Sequence, residues 1–209
     1  MSRAAELAKF IGDGTLGLGG AEDKKLVFDG NAQDFHIGLD DSADSLTIGL
    51  GSALGTTSHM VFDANGHITK PLQPAFLVHP ASNQDNISTG STTVVFGTER
   101  FDQNGDFASN TFTAPVTGKY LLTYSLYLED MPNDSTYIET FIDTSNTRDY
   151  YHSIDPRGFD TVPIIVSMSQ AHLVDLDAND TVTVRITQAG GSTTLDINTA
   201  SHFSGFLVC

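Results

Sequence analysis

Cysteine is nearly missing from this chain. Cys209, the last residue, is the only one, so no disulfide framework within a chain is available. Flanked by Phe203, Phe206, Leu207 and Val208, it reads as a small buried hydrophobe in a closing strand rather than a cross-linking thiol. Positive charge is scarce too: 10 Lys+Arg stand against 26 Asp+Glu, a formal net charge of −16. A chain without a cationic footprint cannot displace the counterions of a phosphate backbone, which excludes nucleic-acid binding. Most of the acids are Asp, whose short carboxylate bonds nearby backbone N–H groups, so the charge reads first as many exposed turns. No run of about 18 apolar residues occurs, and no insertion into a membrane is expected. The opening MSRAAELAKF lacks the apolar core of a secretory signal.

Catalytic motifs are missing as well. There is no G-x-S-x-G elbow, no H-E-x-x-H and no P-loop. The seven histidines show no pair spacing and no H-x-H repeat. Gly12, Gly14 and Gly17 match G-x-G-x-x-G, but a helical pattern precedes them and none comes after, the reverse of what dinucleotide binding needs. Carboxylates are plentiful, yet no pair is marked for glycoside hydrolysis. No enzymatic role and no required cofactor are expected. The apolar fraction, 39%, is low for a chain with only 17% charged residues, which suggests that partner subunits supply the missing burial.

What is present is β-pattern. Residues 2–11 read as a short helix capped by Ser2, with Leu7, Phe10 and Ile11 on its apolar side. It is too short to stand alone in water. Residues 12–20 carry five glycines and read as a hinge, making 1–20 an anchor segment. Residues 21–74 hold short strands punctuated by Asp, Asn and Gly, with Leu26-Val27-Phe28-Asp29 echoed by Met60-Val61-Phe62-Asp63. Their apolar content is too thin for a monomeric core. Three copies around one axis would bury these strips and remove free edges, so the segment reads as a shaft. A small monomeric meander packed on the C-terminal domain is the alternative.

Pro71, Pro74 and Pro80 mark the passage to residues 75–209. There, Tyr120, Leu122, Tyr124, Leu126 and Leu128 share one face, as do Val182, Val184 and Ile186, and as do Val162, Ile164, Val166 and Met168. Strands separated by polar turns predict an all-β sandwich or jelly roll.

Residues 144–160, TSNTRDYYHSIDPRGFD, read as an exposed recognition loop. Tyr150, Tyr151 and His152 supply rigid contact area with polar tips, and Arg148, Arg157 and Asp155 supply directed polar groups. The same tyrosines could instead cover a subunit interface. Two oxygen clusters are weak candidates for calcium. Asp175, Asp177 and Asn179 match the opening of an EF-hand loop, but position six is Asp180 rather than Gly and position twelve is Ile186 rather than Glu. Asp102, Asn104 and Asp106 form the second cluster.

FTAPVTGKY over Phe112–Tyr120 resembles the signature segment of C1q domains, which runs close to F-T-A-P-x-x-G-x-Y. Asn104-Gly105-Asp106-Phe107 resembles that family's turn before an aromatic, with Asp106 in place of its second Gly. Leu176 through Val182 resembles its late hairpin, with Asn179 replacing Gly, and Phe203-Ser204-Gly205-Phe206-Leu207 resembles its final strand. The likeness starts near Phe76 and implies a ten-stranded, non-enzymatic jelly roll that trimerises. DGNAQDFHIGLDDSADSLTIG followed by VFDANGHIT resembles the repeat-bearing shafts of bacteriophage tail fibres, and MSRAAELAKF before a Gly-rich linker resembles their starts, a likeness that covers residues 1 to about 70. Together these imply a homotrimeric virion fibre: an N-terminal anchor on other virion proteins, a β-shaft, and a C1q-like head contacting a glycan or protein of the host surface. A structural virion decoration without a receptor, a secreted C1q-like extracellular ligand and a glycan-cleaving enzyme remain the alternatives.

Overall fold

The computed structural model describes residues 17, 19–147 and 149–209. The helix expected over 2–11 and most of the glycine hinge lie outside them. The chain divides into two compact units after Leu72.

The first unit is a five-stranded antiparallel meander: β1 Lys24–Phe28, β2 Phe35–Asp40, β3 Ser45–Leu50, β4 Ser58–Asp63 and β5 Ile68–Thr69, side by side in chain order. Tight turns between the strands arise from local chemistry. Asp63, for example, closes the β4–β5 hairpin by accepting from the backbone N–H of Asn65 and His67, while Gly66 takes φ +88°. The sheet is inside out. On one face Leu26 lies opposite Ile37, Phe28 opposite Phe35, and Leu39 opposite Leu46. These six side chains are 37–57% exposed. The other face carries His36, Gly38, Ser45, Thr47 and Gly49, and that is the buried one. The segment after β3 folds over it, with Leu54 against Gly38 and the Thr57 carbonyl against Gly49. Glycine is required at both, because a Cβ would strike these neighbours.

The second unit, Gln73–Cys209, is a two-sheet sandwich. Its strands in chain order are β6 Ala75–His79, β7 Gln84–Ile87, β8 Gly90–Thr93, β9 Thr98–Asp102, β10 Phe107–Ala108, β11 Thr111–Thr113, β12 Gly118–Glu129, β13 Tyr137–Thr144, β14 Tyr150–Ile154, β15 Ile165–Leu176, β16 Thr181–Ala189, β17 Leu195–Ile197 and β18 His202–Leu207. One sheet runs β7-β17-β12-β18-β6-β9, with β15 also paired to β12. The other runs β10-β11-β16-β13-β14, with β8 also on β16. A single 3₁₀ turn, Pro156–Gly158, is the only helical element among the described residues.

The period-two reading of 119–128 holds at every position. Tyr120, Leu122, Tyr124, Leu126 and Leu128 are all buried between the sheets, facing Val182, Val184 and Ile186. Phe76, Phe107, Phe112 and Phe203 form an aromatic cluster at one end, with Phe76 4.8 Å from Phe112 and 5.3 Å from Phe107. The Phe112–Tyr120 segment earns its residues one by one. Phe112 and Ala114 are buried. A Cβ on Gly118 would lie 2.6 Å from the Cys209 carbonyl oxygen. The Tyr120 hydroxyl donates to the Val116 carbonyl at 2.6 Å, tying the strand to the turn that leads into it. Two readings need correction. Val162 and Ile164 precede β15 and are exposed, so the shared face begins only with Val166 and Met168. Cys209 is exposed: β18 ends at Leu207, and only the Cys209 carbonyl is held, by the Lys119 N–H.

Candidate functional site

Residues 144–160 do not form a loop throughout. A tight turn comes after Thr144, β14 pairs along the edge of its sheet with β13, and the 3₁₀ turn comes next. Adjacent residues of a strand face opposite ways, so the two tyrosines separate. Tyr150 packs on the core, its ring 4.7 Å from that of His172. His152 sits on the same side, half-buried, with Nδ1 buried and unpartnered. Tyr151 faces out and is 52% exposed. Asp155 caps the 3₁₀ turn and is held by the Arg157 guanidinium at 2.9 and 2.7 Å. These hydrogen bonds pull its carboxyl down to about 2. Arg148 lies outside the described residues.

Around Tyr151 the strands assemble a surface that was not legible as a motif. Across β14, β13 and β16 the outward row is Tyr151, Phe141, Arg185, and it ends on Thr93 of β8. The Tyr151 ring lies 4.8 Å from Phe141, and the Arg185 guanidinium stands 5.8 Å from the same ring. Arg185 is paired with Asp143 at 3.1 Å. The neighbouring row is Ser153, Glu139, Thr187 and Ser91, with the Ser153 hydroxyl donating to Glu139 at 2.6 Å. The Tyr151 hydroxyl donates to Asp149 at 2.8 Å, and this bond, aided by nearby carboxylates, raises its pKa. An exposed ring flanked by fixed carboxylate, guanidinium and hydroxyl groups can stack on an apolar ring face while bonding polar substituents at its edge. The signal for Phe141 was its position out of phase with the buried Ile138, Thr140 and Ile142 in YIETFIDT.

The two oxygen clusters serve turns. Asp102 accepts from the N–H groups of Asp106 and Phe107 at 3.1 and 2.8 Å. Burial, and then the charge of Asp102, push the Asp106 carboxyl up. Asn104 also bears on Asp106 through a hydrogen bond. Asp175 pairs with Lys119 at 2.5 Å, Asp177 accepts from Thr117, and Asn179 takes φ +74° while its N–H donates to Ala114. Among the described residues no three His, Cys, Asp or Glu side chains group to hold a metal ion.

A second surface lies on the outer face of the sheet that contains β12. Leu121 sits between Leu173 of β15 and Phe206 of β18, while Leu77 of β6 lies opposite Phe101 of β9. Leu173 is 59% and Phe206 47% exposed. Leu77, Phe101, Leu121 and Phe206, with Thr123 and Ser204 between them, border an apolar hollow of ≈ 350 Å³. So much adjacent exposed hydrocarbon on one face is the mark of a surface meant to be covered.

The sequence model of the C1q domain matches residues 75–208. Among solved structures, the globular domain of the zebrafish complement 1qA protein superposes with a TM-score of 0.50 at 18% identity, covering 66% of this chain and 98% of that one. Murine APRIL at pH 8.0 gives a TM-score of 0.48 at 15% identity, covering 65% and 98%. These likenesses concern the fold. No curated protein matches the chain.

Proposed function

The chain belongs to the C1q domain family, and we propose that it is the homotrimeric fibre protein of a bacteriophage virion, whose head binds a host-surface receptor; the family membership supports the trimeric head alone. Domains of this family are in general non-enzymatic ligand or structural modules, and the proposal gives this chain no catalytic role. The observation that carries the trimer is the uncovered apolar row Leu173, Leu121 and Phe206. Burying one such side chain contributes about 1.5–3 kcal/mol, and three subunits would each contribute the row. The inside-out meander supports the same reading independently, since its exposed face is the apolar one and a threefold shaft would turn that face inward. The host-contact surface in this reading is the Tyr151 row, rigid because Phe141 and the Arg185–Asp143 pair support it from the same sheet. Weak single contacts would multiply through three copies. Attachment to the virion falls to residues 1–20, and the resemblance of the first 70 residues to phage fibres supports that placement. The test is adsorption: the purified chain labels host cells and competes with whole virions. A chain that scatters light as a clean monomer and leaves adsorption unchanged overturns the proposal.

A further inference from the structure

The outward face of β14, β13 and β16 belongs to the sheet that does not carry the apolar row, so covering that row leaves this face open. Along β13, Tyr137, Glu139, Phe141 and Asp143 point onto it, alternating with the buried Ile138, Thr140, Ile142 and Thr144. Tyr137 is 39% exposed, has the small Ala189 opposite it on β16, and lies one residue beyond the pairing of β13 with β14. The rise of a strand places it about 13 Å from Phe141, the residue on which Tyr151 leans. Two phenol rings thus stand at the ends of a polar strip, with Glu139 midway between them. Among the described residues of β13, β14 and β16, these two tyrosines are the exposed large hydrophobics. A protein-docking patch has a continuous apolar centre, and this face has none.

Tyr151 is held in place before any ligand arrives. Its backbone pairs with Phe141 on one side, and its carbonyl accepts the Gln170 side-chain amide at 3.0 Å on the other. The surrounding polar atoms are mainly acceptors. Asp149 takes the Tyr151 hydroxyl on Oδ2, Glu139 takes the Ser153 hydroxyl on Oε2, and Asp143 takes the Arg185 guanidinium on Oδ2. Each carboxylate keeps a second oxygen for another donor. Three carboxylates against one guanidinium repel an anionic ligand. A single ammonium would satisfy one of the acceptors. The hydroxyls of a hexose reach several, while its C–H groups lie on the negative face of a phenol ring.

We propose that this face binds an uncharged oligosaccharide laid along β13, with one hexose stacked on Tyr151, another on Tyr137, and Glu139 and Asp149 accepting sugar hydroxyls. The assignment rests on the reading of Tyr151 as the host-contact surface and names what that surface contacts. The test is calorimetric titration of the full chain with the methyl glycosides of glucose, galactose and mannose, their linear trisaccharides, glucuronate and glucosamine. One of the three methyl glycosides should bind at least tenfold more tightly than glucuronate, and its trisaccharide tenfold more tightly again. Tyr151→Ala should abolish binding of both. Tyr137→Ala should cut the trisaccharide to the affinity of the single sugar. Glu139→Gln/Asp149→Asn should weaken the hexose and narrow its advantage over glucuronate. Both tyrosines are exposed, so their variants keep the sheet, which circular dichroism checks. Equal affinity for glucuronate and hexose overturns the proposal, as does a Tyr151→Ala chain that binds sugar normally. Glucosamine binding tenfold more tightly than every hexose also overturns it, because the carboxylates then hold a cation. A chain that adsorbs to host cells through Tyr151 yet ignores all three sugars sinks the sugar assignment and leaves the fibre reading standing. A chain that binds the sugars as described but does not adsorb supports the site and removes the fibre reading instead.

Discussion

Tyr124 and Thr140 join the two sheets of the sandwich at its dry centre. Their hydroxyls lie 2.8 Å apart and both residues are fully buried. Each satisfies a polar group that would otherwise be stranded among hydrocarbon. Tyr124→Phe should therefore cost about 1–2 kcal/mol by leaving Thr140 unpartnered, while Tyr124→Phe/Thr140→Val should recover much of that loss. Chemical unfolding of the two variants measures it.

The same pair sets an alkaline limit. Burial pushes the Tyr124 phenol up to about 12, against the opposing hydrogen bond to Thr140. The folded state holds that proton more tightly than the unfolded chain, so the stabilising contribution is complete below pH 10 and is lost as pH rises towards 12. Unfolding free energy should decline across that window. Tyrosinate absorbance should show one phenol ionising only as the chain unfolds, and a flat profile for Tyr124→Phe relative to the parent would identify the group.

Leu173→Asp/Phe206→Asp places two charges on the outer apolar row without touching the core. Light scattering should fall from about three times the 22.4 kDa chain mass to the monomer mass, with the circular dichroism of the sheets retained. An unchanged mass would mean that the row is not at the subunit interface.

The two adjacent tyrosines should separate cleanly by phenotype. Tyr151→Ala should leave the melting temperature nearly unchanged and reduce adsorption to host cells by tenfold or more, since a central aromatic contact is worth about 2 kcal/mol per site and three sites act together. Tyr150→Ala should instead lower stability by about 2–4 kcal/mol, because its ring packs on the core and on His172. The reverse assignment would place recognition elsewhere.

Gly49→Ala forces a Cβ into the Thr57 carbonyl and the His36 ring. Overpacking of this kind costs about 1–3 kcal/mol. Proteolysis should cut the meander sooner in the variant while residues 75–208 stay resistant.

Where side chains alternate between hydrocarbon and water, the sequence disclosed the sheet: Tyr120 through Leu128 and Val182 through Ile186 obey a period that only a half-buried strand satisfies. The Phe112–Tyr120 segment was legible because each of its residues answers a local demand, a turn, a close approach or an aromatic contact. β14 was not, because an edge strand needs pairing on one side only and Tyr-Tyr-His-Ser-Ile shows no alternation of polarity. Its strand character comes from β13, distant in pattern though near in chain. The exposed Ile164 misled in the opposite sense, apolar in kind but placed before the strand begins. The bulge at Arg100, where Leu77 pairs with Phe101 but Val78 with Glu99, was invisible for a related reason: an extra residue is defined only against the register of its partner.

β18 lies between β12 and β6, bonded to both along its length. A central plank of the sandwich is thus laid by residues 202–207, while its neighbours come from some of the earliest and middle parts of the head. During synthesis the ribosome delivers β6 and β12 long before the strand that must separate them. Until it arrives, each presents an open ladder of amides and carbonyls to any other nascent chain on the same message. The head therefore completes itself in one late step, and a translation product that stops short of Phe203 leaves a gap in the middle of the sheet rather than a frayed end.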